Sequence, residues 1–159
     1  MKRVIALCVA LVLLVLPARV AAQDTSPDTI GPMRVVRELF SAMKAGDSAR
    51  VRAVFHPQMK GLASASAGRN GEALAEFSTV DAFVSAMGTP HAAAYDERIS
   101  RPRILVDGGR LASVWADYTF FLGTKLTHCG VDIFQLAKVG IEWKIVALSD
   151  TRRTTGCTM

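Results

Sequence analysis

The sequence predicts an α+β domain: helices come first and pack on one face of a curved antiparallel sheet. Three observations predict it. Apolar residues recur at helical spacing between Pro32 and Met87, and strand-length runs divided by glycine turns fill the chain from Tyr95 onward. No internal repeat or linker separates the two halves, so one domain holds both.

Ahead of that domain, Lys2 and Arg3 precede an uncharged apolar run from Val4 to Leu16, which Pro17 breaks. Val20-Ala21-Ala22 then offers small residues at the positions a signal peptidase reads. The run is shorter than the roughly 20 residues needed to cross a bilayer core. Residues 1–22 are therefore expected to be a cleaved signal peptide, with Cys8 badly placed for lipid attachment. Residues 23–31 read as a flexible leader, 32–153 as the domain and 154–159 as a C-terminal tail. The expected location is exported, periplasmic or extracellular, with no membrane contact after cleavage.

Of the 159 residues, 19 are basic and 14 acidic, for a formal charge of +5. Lys2, Arg3 and Arg19 leave with the signal, so the mature balance falls to +2. Nothing forms a basic stripe or a known reader motif, which argues against nucleic acid as a partner.

The first helix is expected to start at Pro32, a residue suited to the first helical position, with Met33, Val36, Leu39, Phe40 and Met43 as its apolar stripe. Gly46 ends it. Asp47 reads as the N-cap of a shorter helix carrying Val51, Val54 and Phe55, which stops before His56-Pro57. Asn70-Gly71 is a hairpin dipeptide that two weak strands would flank. Ser78 and Asp81 resemble a capping box opening a third helix with Val80, Phe83, Val84 and Met87, closed at Gly88-Thr89-Pro90.

Strands follow at Arg103–Val106, Arg110–Leu122, Leu126–Ala137 and Glu142–Thr151, separated by glycine turns in a meander. Pro102 marks the first of these as an edge strand or the site of a bulge. Cys129 and Cys157 are the cysteines left after the signal. Two thiols in an oxidising compartment are expected to pair, the alternative being two free thiols.

Several segments also resemble a known superfamily. Val36-Arg37-Glu38-Leu39-Phe40-Ser41-Ala42-Met43-Lys44-Ala45-Gly46-Asp47 with Val54-Phe55-His56-Pro57 looks like the first helix pair of the nuclear transport factor 2-like superfamily. Val114 to Phe120, His128 to Phe134, Trp143 to Val146 and Ser149 to Arg153 resemble more narrowly its SnoaL-like branch of secreted bacterial proteins. That branch carries the label lumazine-binding, which no flavin or pterin motif in this sequence supports. The resemblance covers roughly residues 32–153. It implies a cone of three N-terminal helices on a strongly curved antiparallel sheet, enclosing a pocket, and a homodimer joined sheet to sheet. It does not imply one function, because isomerases, cyclases, dehydratases, binders and dimerisation modules share the fold.

Strand alternation sorts the side chains by face. With Gly123-Thr124 as a two-residue turn, Thr119 is expected opposite His128, Asp117 opposite Gly130 and Trp115 opposite Asp132. One face then carries Trp115, Asp117, Thr119, His128, Asp132 and Phe134, joined by Trp143 and Ile145. The other carries Ala116, Tyr118, Phe120, Cys129, Val131 and Ile133. A one-residue slip would dissolve this cluster.

Asp117, His128 and Asp132 among aromatics form a candidate proton-transfer group, since apolar surroundings push carboxylic acids towards the neutral form. The bland alternative is a hydrogen-bonded polar cluster that fixes the sheet. His56, Trp115, Thr119, Phe134, Trp143 and Arg152 are the candidate ligand contacts, with His56 alternatively capping a helix end and Arg152 alternatively a solvated strand end. Ketosteroid isomerase, a relative by fold, pairs a tyrosine with a protonated aspartic acid. Here the neighbours Asp117 and Tyr118 are expected to point apart, so no equivalent pair is evident. No nucleophile motif, phosphate loop or metal-ligand spacing appears, and no cofactor or metal is expected. The function expected first is binding of a small, mostly apolar or fused-ring molecule. A cofactor-free isomerase, cyclase or dehydratase, or a homodimeric structural module, are the alternatives.

Overall fold

The computed structural model describes residues 27–67 and 72–157. The expected signal segment lies outside the described residues. Helix α1 runs Pro27–Ala45 and helix α2 Ser48–Ala53, followed by strands β1 (Gly61–Ala67) and β2 (Ala73–Thr79). Helix α3 (Val80–Met87) then leads to β3 (Tyr95–Asp107), β4 (Leu111–Leu122), β5 (Lys125–Val139) and β6 (Glu142–Arg152).

Part of the expected leader is helical: α1 begins at Pro27, which supplies the same first-turn signal five residues before Pro32. Pro32 is inside the helix and its ring is fully buried. Its missing N–H removes one intrahelical bond, and the ring's burial in the core offsets that loss. Asp47 caps α2 as expected, its carboxylate accepting from Arg50 N at 3.0 Å. The cap of α3 is Thr79, one residue after Ser78, with its Oγ1 accepting from Ala82 N at 3.1 Å.

The helices are not all ahead of the strands, because the β1–β2 hairpin falls between α2 and α3. Six strands form one sheet in the order β2-β1-β6-β5-β4-β3, antiparallel throughout except for the parallel pair β1–β6. β3 is an edge strand, and its register shifts between Ser100 and Arg103, around Pro102. Further shifts lie at Phe120/Phe121 and Gln135/Leu136. Each inserts an extra residue on one strand, which bends the sheet and deepens its concave side. Gly123, at φ 63°, gives the β4–β5 turn its left-handed backbone.

The core lies between α1 and that concave face. Val36 and Leu39 of α1 are fully buried, as are Val114, Phe134, Leu136 and Ile145 from the sheet. Phe40 meets Phe134 edge-on, ring centres 6.0 Å apart. Trp143 packs on α1 where Gly31 leaves room: a Cβ there would come 2.6 Å from the indole. Among the described residues, no helix is long and apolar enough to cross a membrane.

Candidate functional site

The bulge at the start of β5 decides which side chains meet. Leu122 pairs with Lys125 and Phe121 with Leu126, as a two-residue turn dictates, but Phe120 then pairs with His128. Thr127 is the extra residue; its Oγ1 donates to Phe120 O at 3.1 Å and lies 2.9 Å from His128 Nδ1. From there the pairs run Thr119–Cys129, Tyr118–Gly130, Asp117–Val131, Ala116–Asp132 and Val114–Phe134. This corrects the expected register by one residue. His128, Asp132 and Phe134 share the concave face with Tyr118 and Phe120, while Trp115, Asp117 and Thr119 face the other way.

The expected Asp117–His128–Asp132 group therefore does not exist. Asp117 is ion-paired on the convex side with Arg101, Oδ2 to Nε 2.6 Å. Trp115 is 45% exposed there, and Thr119 Oγ1 sits 3.5 Å from Arg98 O. His56 follows α2, where the backbone pairs with β6 through Ile145; its Nδ1 accepts from Gln58 N at 3.1 Å. Trp143 is committed to α1. None of these five lines the cavity.

That cavity, about 570 Å³, opens on the concave side between the sheet, α1, α3 and the β1–β2 hairpin. His128, Asp132, Phe134 and Arg152 do line it. So do Glu97, Tyr118, Phe120 and Asp150, which the sequence reading missed. Most of its wall is apolar, and its polar groups converge on one patch, as in most small-molecule sites.

The patch is built across four strands. Glu97 pairs with Phe120, Phe120 with His128, and Asp132 with Asp150, so β3 to β6 each contribute. Gly130 makes room beside Asp132: a Cβ there would meet Thr151 O at 1.7 Å and Tyr118 Cε1 at 2.8 Å. The Tyr118 hydroxyl occupies that space, 3.1 Å from Asp150 Oδ2 and 3.0 Å from Thr151 O. His128 stacks on Phe120 at 4.8 Å and meets Tyr118 edge-on at 5.8 Å.

Burial governs the charges. Asp132 is 4% exposed, and its Oδ2 has no donor among the described residues. Burial pushes its carboxyl well above the usual range, and the neighbouring Glu97 charge adds to the effect. Burial likewise raises Glu97 to about 7, with Asp150 adding to it and the Asp132 hydrogen bond opposing. Two carboxylates are acceptors only, so the Glu97–Asp132 hydrogen bond requires a proton on one of them. His128 is held below its ordinary value, first by burial and then by the Arg152 charge, which favours the neutral ring. Burial pushes the Tyr118 phenol upward, reinforced by Asp150. Burial thus favours the uncharged forms throughout the patch: a protonated carboxyl, a neutral imidazole and a protonated phenol in an apolar cone. Among the described residues no three His, Cys, Asp or Glu side chains gather in a way that could hold a metal ion.

Glu97 had a signal in the sequence: Tyr95, Glu97 and Ile99 alternate, placing an acid in line with two apolar residues. Tyr118 and Phe120 were hidden by the bulge, which no local residue pattern announces.

No family model matches the chain, and no curated protein does. Solved structures do. A nuclear transport factor 2-like protein of unknown function from Shewanella baltica aligns at TM-score 0.54 and 17% identity, over 76% of this chain and 90% of its own. A protein of unknown function with a cystatin-like fold, from Nostoc punctiforme, aligns at TM-score 0.60 and 13% identity, over 82% and 95%. A protein provisionally named scytalone dehydratase, from Novosphingobium aromaticivorans, aligns at TM-score 0.58 and 14% identity, over 81% and 87%. The chain has a nuclear transport factor 2-like α+β fold with a curved, mostly antiparallel sheet. At these identities the likeness fixes architecture and leaves the ligand to the site itself.

Proposed function

We propose that the protein is an exported binder of a small, mostly apolar molecule, held in the cone with its polar end against Glu97, Tyr118 and Asp132. One observation carries this: a cavity of about 570 Å³ with apolar walls has a buried carboxyl oxygen, Asp132 Oδ2, that no group among the described residues satisfies. An orphaned buried acceptor costs about 1–3 kcal/mol, which a ligand donor would recover. The test is a thermal-shift screen of fused-ring and other apolar compounds. A ligand at a hundred times its dissociation constant stabilises by about 2.7 kcal/mol, roughly 10 °C for a domain of this size. Silence across such a library would defeat the reading.

A second reading, a cofactor-free isomerase, cyclase or dehydratase, is favoured by the Glu97–Asp132 pair. A carboxyl raised to about 7 is poised to accept or deliver a proton near neutral pH. Asp132→Asn separates the two readings once a ligand is known: turnover collapses in an enzyme, while a binder keeps part of its affinity. Asp117→Asn leaves either activity intact, because Asp117 faces away from the cavity.

The cleaved signal over residues 1–22 and the Cys129–Cys157 disulfide belong to the same proposal. The two cysteines meet at a Cα separation of 5.6 Å with their sulfurs joined, as an oxidising compartment allows. A homodimer joined through the convex sheet face completes it, with Trp115 and the 74% exposed Leu105 at the contact. Light scattering after size-exclusion chromatography tests this; a strict monomer defeats it.

A further inference from the structure

Among the described residues the acidic groups of the cavity outnumber its cations. Glu76, Glu97, Asp132 and Asp150 line it against Arg152. Arg152 stands at the cavity beside Asp150, its Nε 3.9 Å from Asp150 Oδ2 and its side chain 48% exposed, and its charge is the weakest of the influences on Glu97 and Asp132. The Tyr118 hydroxyl also turns to Asp150. Glu97 and Asp132 are left facing each other, with no basic side chain bonded to either among the described residues. The remaining titratable groups around them are Tyr95, Tyr118 and His128, while α1 and α3 present only apolar side chains to the cavity.

We infer that the cavity takes a cationic amphiphile, an amine whose ammonium group lies between the Glu97 and Asp132 carboxyls and whose apolar body fills the cone. The inference rests on the binding reading above and narrows it. An ammonium brings three donors and no acceptor, which suits two facing carboxylates and the orphaned Asp132 Oδ2. The rings of Tyr118 and Phe120 beside the acids add cation–π attraction. An anionic ligand would meet like charge, and a neutral one would leave the pair holding its proton. The upward shifts of Glu97 and Asp132 agree with this, because a proton there stands where a ligand cation would. Amine binding therefore expels that proton into the buffer.

The test is calorimetric titration of the purified protein near neutral pH with naphthylmethylamine, naphthalenemethanol and naphthoate. These share one apolar body and carry positive, zero and negative charge. The amine is expected to bind about tenfold tighter than the alcohol, and naphthoate weakest. Repeating the amine titration in buffers of different ionisation enthalpy is expected to show proton release, with none for the alcohol. Asp132→Asn, and independently Glu97→Gln should the first fail to fold, is expected to erase the amine's advantage while alcohol binding persists. Equal binding of amine and alcohol, or a preference for naphthoate, overturns the inference and leaves the apolar-binding reading standing. Failure of all three to bind sinks both.

Discussion

Gly130 shows how one missing side chain sets the site. The Thr151 carbonyl and the Tyr118 ring approach so closely that any Cβ at 130 must displace backbone. Gly130→Ala is expected to destabilise by about 1–3 kcal/mol, as overpacking does, and to shift the Tyr118 hydroxyl off Asp150. Denaturant melts and the near-ultraviolet circular dichroism of tyrosine would read both. Titration belongs to this scale too. Glu97 is raised in the folded protein, to about 7 from an ordinary 4.5. Between those values the native state holds a proton the unfolded state has released, so stability falls as pH rises through the window. His128, held below its ordinary value, acts with the opposite sign near pH 6.5. The difference between wild type and Glu97→Gln isolates the carboxyl: the variant is expected to lose less stability between pH 5 and 8, measured by urea melts at each pH.

Elements meet through a few close contacts, and α1 on β6 is the sharpest. Gly31 to alanine ordinarily gains roughly 1 kcal/mol of helix propensity. Here the new methyl would stand 2.6 Å from the Trp143 indole, a rigid ring buried under the helix. Overpacking of about 1–3 kcal/mol therefore outweighs the propensity gain. Gly31→Ala is expected to lower the melting temperature and red-shift the Trp143 emission as the ring moves towards water. An unchanged melt would mean α1 slides freely on the sheet. The β1–β2 hairpin is the other element with consequence. It walls one side of the cavity while leaving Phe77 83% exposed, a cost that its place at the sheet edge permits.

At the scale of the whole molecule, the proposed Cys129–Cys157 disulfide would tie β5 to the segment after β6 across a sequence separation of 28. The chain-entropy model assigns such a loop about 3–4 kcal/mol, so Cys157→Ser is expected to lower stability by that order in a urea melt. A thiol assay of the native, unreduced protein should find neither cysteine free. The sequence by itself determined the element types, the α2 cap at Asp47, the edge character around Pro102 and the apolar stripe of α1, because each rests on local period, capping chemistry or a proline's missing donor. Four of the nine expected site residues came with it: His128, Asp132, Phe134 and Arg152 sit on one face by alternation within their own strands. Which β4 residues stand beside them was decided by tertiary structure alone. One extra residue at Thr127 turns β5 over relative to β4, exchanging Asp117 and Thr119 for Tyr118 and Phe120. A bulge is stabilised by the contacts it permits, here Thr127 to the Phe120 carbonyl and Gly130 under the Tyr118 ring, and those partners are remote until the sheet has formed.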